Sequence, residues 1–425
     1  MASCCFGRTF SISSYGIGKM CTHIFTYIED TTLDLQLSDR VQQIKPSPTL
    51  VVTNRAAELK AAGKDIIGLG AGEPDFDTPE HIKQAAIEAI NNGFTKYTAV
   101  DGTPGLKKAI IEKFKRDNNL NYEANQILVS CGGKQSFFNM SLAYINDGDE
   151  AIIPAPYWVS YPDMVKIAGG VPVIIETDES TRFKITAEQL EAAITPKTRL
   201  VVLNSPSNPS GVAYTIEELK ALGEVLKKHP QILIATDDMY EYIWWADFPF
   251  SNIVNACPEL YERTLVLNGV SKAYSMTGWR IGYAAGPAKI IAAMKKVQSQ
   301  STSNPSSISQ VAAEAALNGG RECVVPMVNA FKERHDHVVK ALNEIPGFTC
   351  IAGDGAFYAY PNAKGAMEKL GITDDVEFAE KLLTEAGVAL VPGSAFGTPG
   401  FMRISYATSM TMLESSLERI KKFLG

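Results

Sequence analysis

Residues 264–286 read T-L-V-L-N-G-V-S-K-A-Y-S-M-T-G-W-R-I-G-Y-A-A-G. The apolar run 264–267 stops at Asn268-Gly269, as a buried strand entering a tight turn does. Lys272 then stands alone among apolar and small residues, with Arg280 following and glycines at 278, 282 and 286. Desolvation favours the neutral amine over the ammonium, so a lysine in this setting is suited to condense with a carbonyl. The planar donor fork of a nearby arginine suits a phosphate. Together they point to pyridoxal phosphate, set against the blander reading of two solvated surface charges.

Upstream, short apolar runs at 127–130, 151–154, 171–175, 200–203 and 232–235 lead to the one at 264–267. Helical spacing fills the intervals at 135–144, 157–168 and 215–228, and continues at 288–296. Near-continuous hydrophobic strands alternating with helices predict an α/β unit whose mostly parallel sheet is covered on both faces. Helices are also expected at 49–61, 80–92 and 104–118. Beyond about residue 320 the texture changes to a long helix at 324–342, apolar segments at 348–351, 356–360, 388–391 and 402–406, and helices near 376–386 and 411–423. That pattern predicts a smaller α+β domain. The expected division is a poorly ordered extension at 1–33, a small domain from 34–75 with 321–425, and a large domain at 76–320.

The chain has 425 residues, 45% of them hydrophobic, enough for two domains. A formal net charge of −7 gives no electrostatic reason to expect nucleic acid or an anionic membrane as partner. No apolar stretch approaches a transmembrane span. The 7 cysteines are scattered, without zinc or redox spacing, so no metal site is expected and reduced thiols in a cytoplasmic protein are.

The stretch S-K-x-x-x-M-T-G-W-R-x-G at 271–282 resembles the cofactor-lysine motif of the class I aminotransferases, pyridoxal-phosphate-dependent enzymes of fold type I. The resemblance implies a large domain with a mostly parallel sheet flanked by helices, plus a smaller α+β domain. It makes Lys272 the cofactor lysine and Arg280 a phosphate ligand. Asp237, at the end of the 232–235 strand, matches the carboxylate that keeps the pyridine nitrogen protonated, with Tyr240 directed to the ring oxygen. Asn208, in N-S-P-S-N-P-S-G at 204–211, matches a second ring-oxygen contact. Gly133 and Lys134, in S-C-G-G-K-Q at 130–135, match a backbone phosphate cradle at a helix start. Trp158, in P-Y-W-V-S-Y, matches the stacking platform. Gly269 stands where many relatives carry a phosphate-binding serine, so Ser271 is expected to compensate.

On the substrate side, Arg403 in M-R-I-S-Y matches the clamp on the α-carboxylate, and Gly72 in A-G-E-P-D-F the adjoining backbone. Tyr97, before G-T-P-G, matches a tyrosine that crosses to the phosphate of a second subunit, which implies a homodimer with shared sites. G-G-K-Q with K-P-S-P-T at 45–49 resembles the bacterial and plastid aspartate aminotransferase branch, where Lys134 and Thr49 would meet a distal carboxylate. Some members of that branch also transaminate prephenate. The activity implied is transfer of the amino group of aspartate to 2-oxoglutarate, with prephenate or a broader acceptor range left open. A ligand-sensing regulator built on the same fold would need an N-terminal helix-turn-helix, and the pattern at 1–36 lacks one. A dinucleotide reading of the glycines at 68, 70 and 72 lacks the final glycine at its proper spacing.

Overall fold

The computed structural model describes residues 35–425, so the expected extension at 1–33 lies outside the described residues. Contacts divide the chain between Asp39 and Arg40, and residues 40–425 form one compact unit. Their largest sheet has seven strands, in the order Ile127–Ser130, Gly282–Ala285, Thr264–Gly269, Leu233–Asp237, Thr198–Asn204, Glu150–Pro154 and Val171–Ile175. All neighbours pair in parallel except those of Gly282–Ala285, which runs antiparallel to both of its partners. The inner parallel strands read as apolar runs because helices cover both faces, whereas the edge strand Val171–Ile175 leaves Val171 and Ile174 exposed. One face packs Leu128, Phe137, Ile153 and Leu265, the other Ile127, Val129, Val201 and Ile234.

Parallel strands all end on the same side. Asn204, Asp237 and Gly269 are the last residues of their strands, and helix Gly133–Tyr144 starts beside them after Ser130. This edge of an α/β sheet is where ligands sit.

Two smaller sheets accompany it. Ile67–Gly68 pairs in parallel with Val388–Ala389. Met402–Ser405 lies between Val391–Pro392 and Tyr358–Ala359, antiparallel to both. Helices Pro48–Ala61, Val325–Asn343, Asp375–Thr384 and Met410–Leu424 complete this region.

Several expectations are corrected. The helix expected at 157–168 begins at Tyr161, where Pro162 takes a first-turn position that needs no N–H. Trp158 opens a turn before that helix instead, with the Tyr161 amide donating to the Trp158 carbonyl at 3.1 Å. The run at 388–391 is two strands, each paired to a different partner. Residues 348–351 make only a single bridge, Thr349 to Asn362. Strand Gly282–Ala285 and helix Ser307–Asn318 were not expected, since the first has only four residues, three of them Gly or Ala, and the second is rich in Ser and Ala, so both carry little periodic signal. Among the described residues no helix is long and apolar enough to cross a membrane.

One fully buried ion pair ties the large sheet to helix Pro104–Asn118. Lys113 pairs with Glu241 and donates to Asn118 Oδ1 at 2.7 Å. Glu241 also accepts from Asn118 at 2.8 Å and Asn268 at 2.9 Å. Every strong acceptor and donor in the cluster is thereby partnered.

Candidate active site

The strand ends open into a cleft of about 400 Å³ lined by Gly72, Lys134, Trp158, Asp237, Lys272 and Arg403, among others. The remaining expected site residues Thr49, Gly133, Asn208, Tyr240, Ser271 and Arg280 line it too. Tyr97 does not. It is 92% exposed, beside Asn304 and Ser306.

Lys272 follows the last residues of strand Thr264–Gly269, and its side chain opens onto the cleft. Its Nζ donates to the Gly72 carbonyl at 2.5 Å. Burial, then the nearby Arg403 charge, pushes its amine down to about 8. Among the described residues no carboxylate in hydrogen-bond contact offsets these influences, so the neutral amine is accessible near physiological pH.

Arg403 is 2% exposed and has no carboxylate partner among the described residues. It donates to Asn208 Oδ1 at 2.9 Å and to the Gly70 carbonyl at 2.6 Å, while its Nε is unpartnered. The guanidinium lies 4.7 Å over the Tyr358 ring and 5.0 Å over that of Phe396. Burying a cation without a counter-ion is costly, so such a site favours an incoming anion.

Arg280 reaches back across the start of helix Gly133–Tyr144, donating to the carbonyls of Thr277 (2.8 Å) and Cys131 (3.3 Å). It adopts φ +56°, a costly conformation for a non-glycine residue and one that functional sites tolerate. A Cβ on Gly132 would fall 2.5 Å from Arg280 Nη2, so only glycine lets the guanidinium approach these amides. The first amides of a helix have no partner within it, and with the arginine they form an anion cradle. A Cβ on Gly269 would sit 3.1 Å from both Gly282 Cα and the Ile281 carbonyl oxygen, tighter than an ordinary contact. Ser271 lines the cleft.

Asp237 Oδ2 accepts from Tyr161 at 2.5 Å and Oδ1 from the Met239 amide at 3.2 Å. Burial raises its carboxyl above the usual range. Asp238 turns away from the cleft onto Thr236 and Asn252, and burial pushes it up to about 7. Asn204 donates to the Asp237 carbonyl and accepts from the Asn208 amide, fixing the two together. Trp158 meets Tyr161 edge to face, and Lys134 Nζ lies 5.0 Å over the Trp158 ring. Burial and Arg280 lower the Lys134 amine, which has no carboxylate partner among the described residues.

Sequence reasoning missed Tyr161, Asn204, Glu73 and Tyr358, all of which line the cleft. Tyr161 and Asn204 lay inside quoted motifs, and Glu73 accepts from Thr277 at the cleft mouth. Tyr358 had no local signal, being one aromatic in an apolar strand.

A family model described as aminotransferase class I and II matches residues 64–420. The chain belongs to the class I and II aminotransferases. It is 62% identical over 397 residues to the aspartate/prephenate aminotransferase of Nitrosomonas europaea, covering 92% of this chain and 100% of that one. The aspartate aminotransferase structure from Rhizobium meliloti superposes with a TM-score of 0.88 at 52% identity, covering 92% and 99%. That from Thermus thermophilus, with maleate, gives 0.87 at 42% identity, covering 92% and 100%. The aminotransferase uses pyridoxal phosphate, and the cleft fits it. An anion cradle that a Cβ would fill, a buried carboxylate and a low-pKa amine meet the demands of phosphate, ring nitrogen and aldehyde.

Proposed function

We propose that this aminotransferase moves the amino group of L-aspartate to 2-oxoglutarate, in two half-reactions sharing one site. One observation carries the reading. Arg403 and Lys134 line the same cleft as Lys272, and neither has a carboxylate partner among the described residues. A dicarboxylic substrate brings two anionic ends for them.

When bound, pyridoxal phosphate supplies an aldehyde that takes up amino groups and a ring that accepts electrons. Lys272 Nζ holds the cofactor and, once displaced by substrate, carries the proton of the α-carbon. Its amine at about 8 leaves a useful neutral fraction at neutral pH. Asp237, oriented by Tyr161, keeps the ring nitrogen protonated. Tyr240 and Asn208 face the ring oxygen, and Trp158 stacks on the ring. The amides of Gly133 and Lys134, with Ser271 and Arg280, hold the phosphate. Arg403, Asn208 and Gly72 take the α-carboxylate, and Lys134 with Thr49 and Trp158 takes the distal one. Tyr97 reaches the phosphate of a second subunit in a homodimer, which accords with its exposure outside its own cleft. Residues 34–75 with 321–425 serve as a small domain closing on 76–320, so that Arg403 completes the site and excludes water. The free thiols Cys131, Cys257, Cys323 and Cys350 suit a reducing cytoplasm.

Prephenate is a second reading, because it is also a dicarboxylate and the name of the Nitrosomonas relative covers both substrates. A matrix of amino donors against keto acids tests both. Aspartate with 2-oxoglutarate is expected to turn over fastest, and Lys134→Ala to lose about 10- to 100-fold in kcat/KM with aspartate but far less with alanine. A preference for aliphatic or aromatic donors would overturn the proposal.

A further inference from the structure

Tyr358 touches groups on both sides of the reaction. It sits in strand Tyr358–Ala359 and is 1% exposed. Its hydroxyl lies 2.9 Å from the Tyr240 hydroxyl, and its ring lies under the Arg403 guanidinium at 4.7 Å. The same hydroxyl would be 3.0 Å from a Cβ on Gly72, so the substrate loop passes directly over it.

We infer that Tyr358 is a positioning residue that donates its hydroxyl hydrogen to Tyr240, aiming the Tyr240 hydrogen at the cofactor's ring oxygen, and cushions Arg403 with its ring. One of two hydroxyls at this distance must donate. A cation over the Tyr358 ring withdraws electron density and makes its O–H the better donor. Tyr240, having accepted, keeps its own hydrogen free for the cleft. Arg403 favours ionisation of both hydroxyls, while Tyr240 also feels Asp237, which opposes its ionisation and leaves it the weaker donor. The ring-oxygen donor and the carboxylate clamp therefore share one side chain, and its two halves are separable by substitution.

The inference rests on Tyr240 facing the ring oxygen, and the test separates the two. A donor to that oxygen competes with the proton the oxygen shares in the acidic form. Weakening the donor therefore moves the pH midpoint of the bound cofactor's visible absorption upward. The holoenzyme is titrated spectroscopically, and maleate is titrated as a non-reacting dicarboxylate. Tyr358→Phe is expected to raise the midpoint by roughly 0.5 pH unit, with maleate affinity changed less than about 2-fold because the ring remains. Tyr358→Leu is expected to raise it similarly and to weaken maleate by roughly 3- to 10-fold. Tyr240→Phe is expected to raise it more than either. An unmoved midpoint in Tyr358→Phe, with Tyr240→Phe shifted, would overturn the inference alone. An unmoved midpoint in Tyr240→Phe would overturn the ring-oxygen assignment beneath it. Equal loss of maleate affinity in Tyr358→Phe and Tyr358→Leu would overturn the ring's role under Arg403.

Discussion

Lys113 and Arg403 are both buried cations, yet their surroundings are opposite. Lys113 is paired with Glu241 and bonded to Asn118, and the cluster closes on itself through Asn268. Arg403 has two neutral acceptors, two aromatic faces and an unpartnered Nε. The first arrangement neutralises its charge within the protein. The second leaves a cation whose counter-ion has to come from outside. Burial alone does not mark a functional charge; burial without an internal partner does.

Removing one member of the closed pair should have the largest effect. Lys113→Met strands Glu241 and is expected to cost about 3–5 kcal/mol in denaturant unfolding, while Lys113→Met with Glu241→Gln recovers most of it. Equal destabilisation by the single and double variants would break the contrast. Arg403→Met is expected to behave the other way, losing roughly 100-fold or more in kcat/KM for aspartate with stability unchanged or raised. A third test uses Lys272, whose amine is depressed from 10.5 to about 8. Below pH 8 the folded apoenzyme must carry that charge against its surroundings, whereas between 8 and 10.5 the unfolded chain binds more protons than the folded one. Stability from this group therefore rises with pH across that window. Apo Lys272→Met is expected to exceed the parent by roughly 3 kcal/mol at pH 7, the gap narrowing as pH rises. A gap independent of pH would assign the difference to packing.

The same contrast explains what could be read in advance. The parallel strands were legible because burial on both faces demands unbroken apolar runs such as 200–203 and 232–235. Strand Gly282–Ala285 was not, because close packing against Gly132-Gly133 demands a glycine at 282, and a short Gly-Tyr-Ala-Ala run looks like a loop. In the cleft, residues with a distinctive chemical task in a local motif, such as Lys272, Asp237 and Arg403, could be named from sequence and are brought together by the fold. Tyr358 could not, since its importance comes from three neighbours far away in the chain: Gly72, Tyr240 and Arg403. Asp238 beside Asp237 shows the converse, as adjacent identical residues on one strand end face opposite ways into unrelated environments.

Strand Gly282–Ala285 returns antiparallel beside Thr264–Gly269, with Gly269 opposite Gly282. The segment 270–281 is thus an excursion whose two feet stand side by side. Lys272 is near the outgoing foot and Arg280 near the returning one. Hinging either foot would carry both residues together, so the distance between them is set by the length of a tethered arch and not by the flexing of separate loops. An inserted residue would change that span as surely as a replaced side chain, and the arch behaves as a gauge block cut to one size.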